Sequence, residues 1–173
     1  MIAKITGLVY RAHNPRWAFE PTSGEGARMH GGRFNPKGRA ALYTSPRVES
    51  ALLGAQQGFA FKAQPMTMCA NEVDCADMLD LTDPATLAEH AIHPNDLSCA
   101  WEDLAFRRQP VPSWKLSDRL IAKCIAGVKV QSYAFRARPD DFNLVFSTWG
   151  APPNTVVVVD PLGRLPQDDR SWR

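Results

Sequence analysis

Glycine and basic residues are concentrated in residues 24–38, hereafter the glycine segment, which reads GEGARMHGGRFNPKG. Its glycines can present bare backbone N–H groups to a ligand, and Arg28, Arg33 and Lys37 supply fixed positive charge. Backbone donors combined with guanidinium groups suit the diphosphate of a nucleotide. Taken alone, the segment is also compatible with a tight surface loop whose arginines point into water.

Other familiar chemical signatures are absent from the sequence. The P-loop pattern GxxxxGK[ST] does not occur, and no GxGxxG lies between a predicted strand and a predicted helix. The cysteines show no CxxC spacing and the histidines form no HExxH pattern, so we expect neither a redox pair nor a bound metal. The cysteines are Cys69, Cys75, Cys99 and Cys124, and the histidines are His13, His30, His90 and His93.

The net charge of the 173-residue chain is only +2, but it is distributed unevenly. Residues 1–62 carry nine Lys and Arg against three Asp and Glu, residues 63–118 carry three against ten, and residues 119–173 carry eight against five. A basic first third favours an anionic ligand, either a phosphate-bearing small molecule or a nucleic acid. A solvated basic face is the alternative explanation.

Two short predicted strands flank the glycine segment. Residues 5–11 mix β-branched and apolar side chains as strands do, and they place Arg11 at a strand end before the turn signal at residues 13–15. Residues 40–44 read as a second, buried strand. Residues 15–38 are predicted to be irregular, and loops of that length inside a domain tend to be functional.

The rest of the chain changes from helical to extended patterns. The pair Ser45-Pro46 predicts the start of a helix running to about Phe59, because serine caps helices and proline suits their first turn. Residues 84–127 are mostly helical in pattern, and Gly127 is expected to cap the helix of the periodic run 117–125. Further strands are predicted at residues 66–73, 78–81, 128–135, 143–148 and 155–160.

Strands at both ends of the chain, flanking a helical middle, favour an α+β fold over a regular βαβ array. The length suits one domain, which we expect to span residues 1–173. No stretch approaches the roughly 18 apolar residues of a membrane span, and the N-terminus lacks the apolar run of a signal peptide. We therefore expect a cytoplasmic protein that does not contact membranes.

The glycine segment resembles part of the RES domain of bacterial toxin–antitoxin modules. The shared features are the run GEGAxxxGGRFNPKG, the residues ALYTS at 41–45 that follow it, and the strand-end Arg11 that precedes it. The run GVKVQS at 127–132 is similar to the family's GVxVxS element, and NLV at 143–145 with DP at 160–161 is similar to its C-terminal pieces. The resemblance spans nearly the whole chain and is weakest in the acidic middle.

This resemblance implies a fold similar to ADP-ribosyltransferases, with a split β-sheet flanked by helices and NAD held in a cleft. Such enzymes cleave the nicotinamide glycosidic bond while positive charge develops on the ribose, and a nearby carboxylate stabilises that charge. The ADP-ribose then passes to a cellular protein, to water or to phosphate. The implied partner is an Xre-type antitoxin, and neither a metal nor direct contact with nucleic acid is implied.

The resemblance also assigns roles to individual residues. Arg11 and Arg33 match the family's arginines and would bind the phosphates or ribose of NAD. Tyr43 would stack on nicotinamide, unless it packs in the core as strand tyrosines usually do. Ser132 matches the family serine and would hydrogen-bond to the ligand or to a catalytic carboxylate, unless it is a turn hydroxyl. The implied NAD contacts are Arg11, Arg28, Gly32, Arg33, Asn35, Tyr43 and Ser45.

The sequence departs from the family at the catalytic glutamate. By the resemblance this acid lies eleven residues beyond the tyrosine, where this chain has Gly54, and glycine inside a helix costs on the order of 1 kcal/mol relative to alanine. Glu49 lies five residues earlier, which rotates its side chain by about 140° on a helix. We therefore favour loss of the acid over its replacement by Glu49, which could simply be a first-turn acid facing the helix dipole. The predicted catalytic set is Arg11, Arg33, Ser132, Glu49 and Gly54.

Two other functions remain open at this point. The basic first third and the aromatic residues Trp17, Phe19 and Phe34 would also suit a nucleic-acid-binding module, whose binding of oligonucleotides would be sensitive to salt. A chain without its catalytic acid could instead be a silent RES protein that only holds its antitoxin. The preferred hypothesis is a toxin that consumes NAD.

Overall fold

Seven strands and six α-helices are found in residues 2–56 and 65–170, the part of the chain that the computed structural model describes. The strands are β1 (Ile2–His13), β2 (Leu42–Thr44), β3 (Thr67–Asp80), β4 (Gly127–Gln131), β5 (Phe142–Phe146), β6 (Gly150–Ala151) and β7 (Asn154–Val158). The helices are α1 (Glu25–His30), α2 (Val48–Ala55), α3 (Pro84–Glu89), α4 (Pro94–Ser98), α5 (Trp101–Phe106) and α6 (Pro112–Ile121). The fold is therefore α+β, as the sequence predicts.

The sheet is organised around the long strand β3. One edge of β3 pairs with the antiparallel strand β1, from Ile2 opposite Leu79 to His13 opposite Thr67. Its other edge carries two partners in succession, because β7 pairs antiparallel with the middle of β3 and β4 pairs parallel with its end. One lobe of the sheet continues from β7 to β6, and the other continues from β4 through β5 to β2. The sheet is thus split at β3.

The larger lobe curls back towards β1. The backbone N–H of Tyr10 donates to the carbonyl of Ser45 at 2.7 Å, and the N–H of Ser45 donates to the carbonyl of Tyr10 at 2.9 Å. These two bonds join β1 to the chain directly after β2. The curl places the end of β1 next to β2, and helix α2 packs against β1 and β5 at this point.

The helices after β3 cover one side of the larger lobe. Leu116 and Leu120, one turn apart on α6, are both buried against the sheet residues Val128 and Val145. Phe34 of the glycine segment belongs to the same apolar cluster, so the segment is anchored in the core. The longest described helix, α6, has ten residues, and no described helix is long and apolar enough to cross a membrane.

The predicted start of helix α2 is wrong by two residues. The helix begins at Val48, behind Arg47, and Ser45 does not cap it. The reason is that the backbone of Ser45 is already held in the sheet by its two bonds to Tyr10. The predicted end of this helix, near Phe59, lies outside the described residues.

The prediction that Gly127 caps a helix is also wrong. Helix α6 ends at Ile121, and Gly127 is instead the first residue of β4. A Cβ atom at position 127 would lie 2.7 Å from the carbonyl oxygen of Val145 on the neighbouring strand. A glycine that permits close strand approach gives the same sequence signal as a glycine that ends a helix.

Other predicted boundaries change as well. The strands predicted at 66–73 and 78–81 form the single strand β3, because the alternation of buried and exposed side chains continues through Cys75 between them. The strand predicted at 128–135 ends at Gln131. The segment predicted to be irregular contains α1, which starts after Gly24 in the left-handed conformation that glycine adopts freely.

Candidate active site

A cavity of about 830 Å³ opens between the ends of β1 and β2, the glycine segment, helix α2 and the first turn of α5. Its volume lies within the roughly 300–1,000 Å³ range of sites for small molecules and cofactors. Six of the ten residues that the resemblance assigns to catalysis or NAD binding line it together: Arg11, Gly32, Arg33, Tyr43, Ser45 and Gly54. Four others, Arg28, Asn35, Glu49 and Ser132, lie outside this lining.

Arg11 brings a confined positive charge to the cavity. Its Nη1 donates to the carbonyl oxygen of Tyr43 at 3.1 Å, and its Nε is buried without a hydrogen-bond partner among the described residues. Burial lowers the pKa of Arg11 to about 10, so the guanidinium is still charged at neutral pH. A buried, incompletely bonded cation is costly by itself, and an anionic ligand in the cavity would offset that cost.

Tyr43 offers the cavity its ring rather than its hydroxyl. The hydroxyl donates to Oδ1 of Asn35 at 2.8 Å and accepts the backbone N–H of Phe34 at 3.0 Å. Burial raises the pKa of Tyr43 well above its usual value, so the phenol stays protonated. A Cβ atom on Gly32 would lie 2.6 Å from this hydroxyl, so the position requires glycine. Tyr43 is therefore fixed in place, and its ring both lines the cavity and packs against the apolar cluster of the larger lobe.

Asn35 and Arg28 both stabilise the glycine segment, Asn35 from a buried position and Arg28 from an exposed one. The Asn35 side chain is 1% exposed, and its Nδ2 donates to the carbonyls of Ala27 and Arg39, each at 2.9 Å. Arg28 is exposed and forms a two-pronged ion pair with Glu25, with contacts of 2.7–2.9 Å. Arg28 thus bonds within the segment, and Asn35 joins the segment to Arg39 and Tyr43.

Arg33 is clamped on two sides. Its Nη1 donates to the carbonyls of Cys99 at 2.6 Å and Leu97 at 3.2 Å, and its guanidinium carbon lies 4.7 Å from the ring centroid of Tyr133. Such a cation–aromatic contact stabilises the charge. Burial is the main influence on the pKa of Arg33 and lowers it from the usual value. The clamp presents this second guanidinium at a defined place in the cavity wall.

The two predicted serines differ in position, because Ser45 lines the cavity and Ser132 does not. The hydroxyl of Ser45 donates to Oδ1 of Asn143, which also lines the cavity. Ser132 is buried outside the lining, where its hydroxyl accepts the N–H of Ala134 at 3.5 Å and its backbone N–H donates to the carbonyl of Asp141 at 2.8 Å. These contacts match the turn-hydroxyl interpretation of Ser132, and its role towards a ligand stays a prediction.

Helix α2 turns small residues towards the cavity. Ala51, Gly54 and Ala55 line it, and a Cβ atom on Gly54 would meet no described atom within 4 Å. Glu49 lies outside the cavity lining: its side chain is 74% exposed, and its Oε2 lies 3.9 Å from Nε of Arg47. Among the described residues, no side chain fills the position at which the resemblance places the catalytic acid.

Several lining residues carry no signal in the sequence. His13, Trp101, Glu102 and Tyr133 all line the cavity. His13 is buried, with Nδ1 2.9 Å from the carbonyl of Asn14, and burial lowers its pKa. Trp101, Glu102 and Tyr133 lie in parts of the chain with no motif. They reach the site only because α5 and the turn after β4 fold onto the glycine segment.

The fold and the cavity define an α+β protein with a nucleotide-sized site. The chain belongs to the RES domain family, which matches residues 8–168. Among solved structures it is similar to one chain of the M. tuberculosis MbcT–MbcA toxin–antitoxin complex, with a TM-score of 0.59 and 17% sequence identity over 92% of this chain and 84% of that one. This similarity shows that the fold is shared. No curated protein matches the chain.

Proposed function

We propose that this chain is the toxin of a bacterial toxin–antitoxin pair and that it consumes NAD as its substrate. The observation that carries the proposal is a cavity of about 830 Å³ whose wall holds two partly buried arginines and one fixed tyrosine ring. Two confined cations and an aromatic surface match the diphosphate and the ring systems of a dinucleotide. Membership of the RES domain family supports the same assignment.

Each residue has a role that follows from its surroundings. The guanidinium groups of Arg11 and Arg33 bind the diphosphate, because opposite charges attract each other more strongly in a site of low polarity than in water. The Tyr43 ring stacks on the nicotinamide, whose orientation it fixes because the tyrosine hydroxyl is tied to Asn35. Gly32 leaves room for the Tyr43 hydroxyl, because a Cβ atom at this position would lie 2.6 Å from it.

In the proposed reaction the bond between the ribose C1′ and the nicotinamide nitrogen breaks, and its electron pair passes to the nitrogen. Positive charge develops on the ribose, which a carboxylate in the cavity would stabilise. The acceptor that takes the ADP-ribose is water, phosphate or a side chain of a cellular protein. No metal is needed for any of these steps.

The proposed partner is an antitoxin of the Xre type. The similar solved structure is a toxin–antitoxin complex, and a partner that covers the mouth of the cavity would exclude the substrate. The basic first third gives less support to nucleic acid as the direct ligand. Its arginines include Arg11 and Arg33, which are drawn into the cavity wall, and Arg28, which is paired with Glu25.

A second candidate function is a silent RES protein that binds its antitoxin without turning over NAD. The observation that favours it is Gly54, because helix α2 brings only small side chains to the cavity at Ala51, Gly54 and Ala55. Both candidates bind an antitoxin, and they differ in whether the chain releases nicotinamide from NAD.

The test is NAD binding by isothermal titration calorimetry to the unaltered chain and to two variants. Arg33→Ala removes the clamped cation, and we expect its affinity for NAD to fall about 10- to 100-fold, as for the loss of one charge-assisted contact of roughly 1.5–3 kcal/mol. Arg28→Ala is the matched control, because Arg28 belongs to the same segment but lies outside the lining, and it should change affinity less than twofold. Equal affinities for Arg33→Ala and the unaltered chain would refute the cavity as the NAD site.

A further inference from the structure

A carboxylate does reach the cavity, but from a different helix. Among the described residues that line the cavity, Glu102 is the only aspartate or glutamate. It is the second residue of the short helix α5, and its side chain is exposed to the cavity and to solvent. Nothing in the glycine segment or in helix α2 predicts it.

The first turn of α5 is held against Arg33. The carbonyl oxygen of Cys99 accepts Nη1 of Arg33 at 2.6 Å and also the backbone N–H of Trp101 at 2.8 Å. Trp101 itself lines the cavity. One carbonyl therefore ties the start of α5 to the cation, and Glu102 follows immediately along the chain.

Glu102 and Arg33 also interact electrostatically. Burial lowers the pKa of Arg33, and the negative charge of Glu102 is one of several neighbouring groups that oppose this lowering. Glu102 and Arg33 line the same cavity, so an acid and the cation that the proposed function assigns to the diphosphate face the same ligand site.

We propose that Glu102 is the catalytic carboxylate of this chain, acting in place of the acid that α2 lacks at Gly54. The inference rests on the proposed function. With water as acceptor, the C1′–N bond breaks and its electron pair neutralises the nicotinamide nitrogen. A water oxygen then bonds to C1′, and the proton that it loses passes to the Glu102 carboxylate and from there to solvent.

The ordinary alternative is that Glu102 only stabilises α5, since an acid in the first turn interacts favourably with the helix dipole. The chain contains a matched control for this effect. Asp103 is the next residue of the same first turn, it pairs with Arg107 at 3.0 Å, and it lies outside the cavity lining. Changing either acid removes a similar dipole interaction, but only Glu102 faces the cavity.

The experiment measures nicotinamide release from NAD, together with NAD affinity by calorimetry, for the unaltered chain, Glu102→Gln and Asp103→Asn. We expect slow release by the unaltered chain, a loss of about 10²-fold or more in Glu102→Gln with affinity unchanged within about threefold, and no change beyond twofold in Asp103→Asn. Both side chains are exposed, so both variants should fold, which thermal unfolding checks.

Two results would overturn the assignment of Glu102 while the proposed function stands: undiminished release in Glu102→Gln, or an equal loss in Asp103→Asn. Failure of the proposed function has a different signature, because the unaltered chain would then release no nicotinamide, and the assignment of Glu102 would fall with it.

Discussion

Placing an acid on helix α2 is the most direct probe of the proposed chemistry. The change Gly54→Glu places a carboxylate at the position that the family resemblance assigns to the catalytic glutamate. The backbone permits a side chain at this position, because a Cβ atom there meets no neighbouring described atom within 4 Å and Gly54 has no left-handed backbone angle. We expect nicotinamide release to rise on the order of 10²-fold, the size of one electrostatic stabilising group in a transition state.

The effect on folding should be small, because two contributions nearly cancel. Replacing glycine in a helix by a better helix former stabilises it by about 0.5–1 kcal/mol. Gly54 is the second-to-last residue of α2 (Val48–Ala55), and a negative charge in the last turn costs about 0.3–1 kcal/mol. The melting temperature should therefore change by no more than about 2–4 °C, as expected for a domain of this size.

The assay compares Gly54→Glu with Gly54→Gln, which has the same shape without the charge. Release of nicotinamide should increase in Gly54→Glu alone, and NAD affinity should be similar in both variants. If the glutamine variant accelerates release equally, the carboxylate argument fails, and side-chain packing at the cavity rim is the cause. If neither variant exceeds the unaltered chain although both bind NAD, position 54 does not face the reacting ribose.

Two further predictions concern the frame of the site. Gly32→Ala puts a methyl group 2.6 Å from the Tyr43 hydroxyl, so we expect a loss of about 1–3 kcal/mol in free energy of unfolding by urea denaturation, and an unchanged value would contradict the packing argument. The Asp141 carboxylate accepts the N–H of Arg138 and the hydroxyl of Ser50, each at 2.8 Å, and these bonds lower its pKa. When the pKa of a carboxyl is lowered in the folded state, the stability it contributes is complete above a pH of about 4 and is lost as the pH falls through the folded-state pKa. The thermal stability of the unaltered chain should therefore fall more steeply below a pH of about 4 than that of Asp141→Asn. Parallel curves of thermal stability against pH would refute this.

Local pattern was sufficient for the class of fold and for the elements around the glycine segment. Arg11 and Tyr43 lie on strands because their neighbours alternate or are β-branched, and those strands do flank the segment. Local pattern could not determine which residues of the glycine segment face the cavity. Asn35 and Gly32 are three residues apart, yet the Asn35 side chain bonds to the backbone of Ala27, whereas Gly32 lines the cavity.

The acidic middle of the chain, residues 63–118, carries the least local information about the site. Glu102 is one of ten acids between residues 63 and 118, and nothing near it in sequence distinguishes it from Asp103. Its place in the cavity depends on the bond from Arg33 to the carbonyl of Cys99, which joins residues 66 positions apart. Such a contact is a product of tertiary folding and leaves no periodic or compositional trace.

The clamp on Arg33 has a consequence for when the protein can act. Its partners are the carbonyls of Leu97 and Cys99, 64 and 66 residues away, and the ring of Tyr133, 100 residues away. Contacts between such distant residues form only after long stretches of chain have been synthesised and closed into loops. Under the proposed function, a ribosome-bound fragment that ends before Tyr133 has an incomplete binding wall. Under the same proposal, the complete NAD site forms only after most of the molecule has been synthesised.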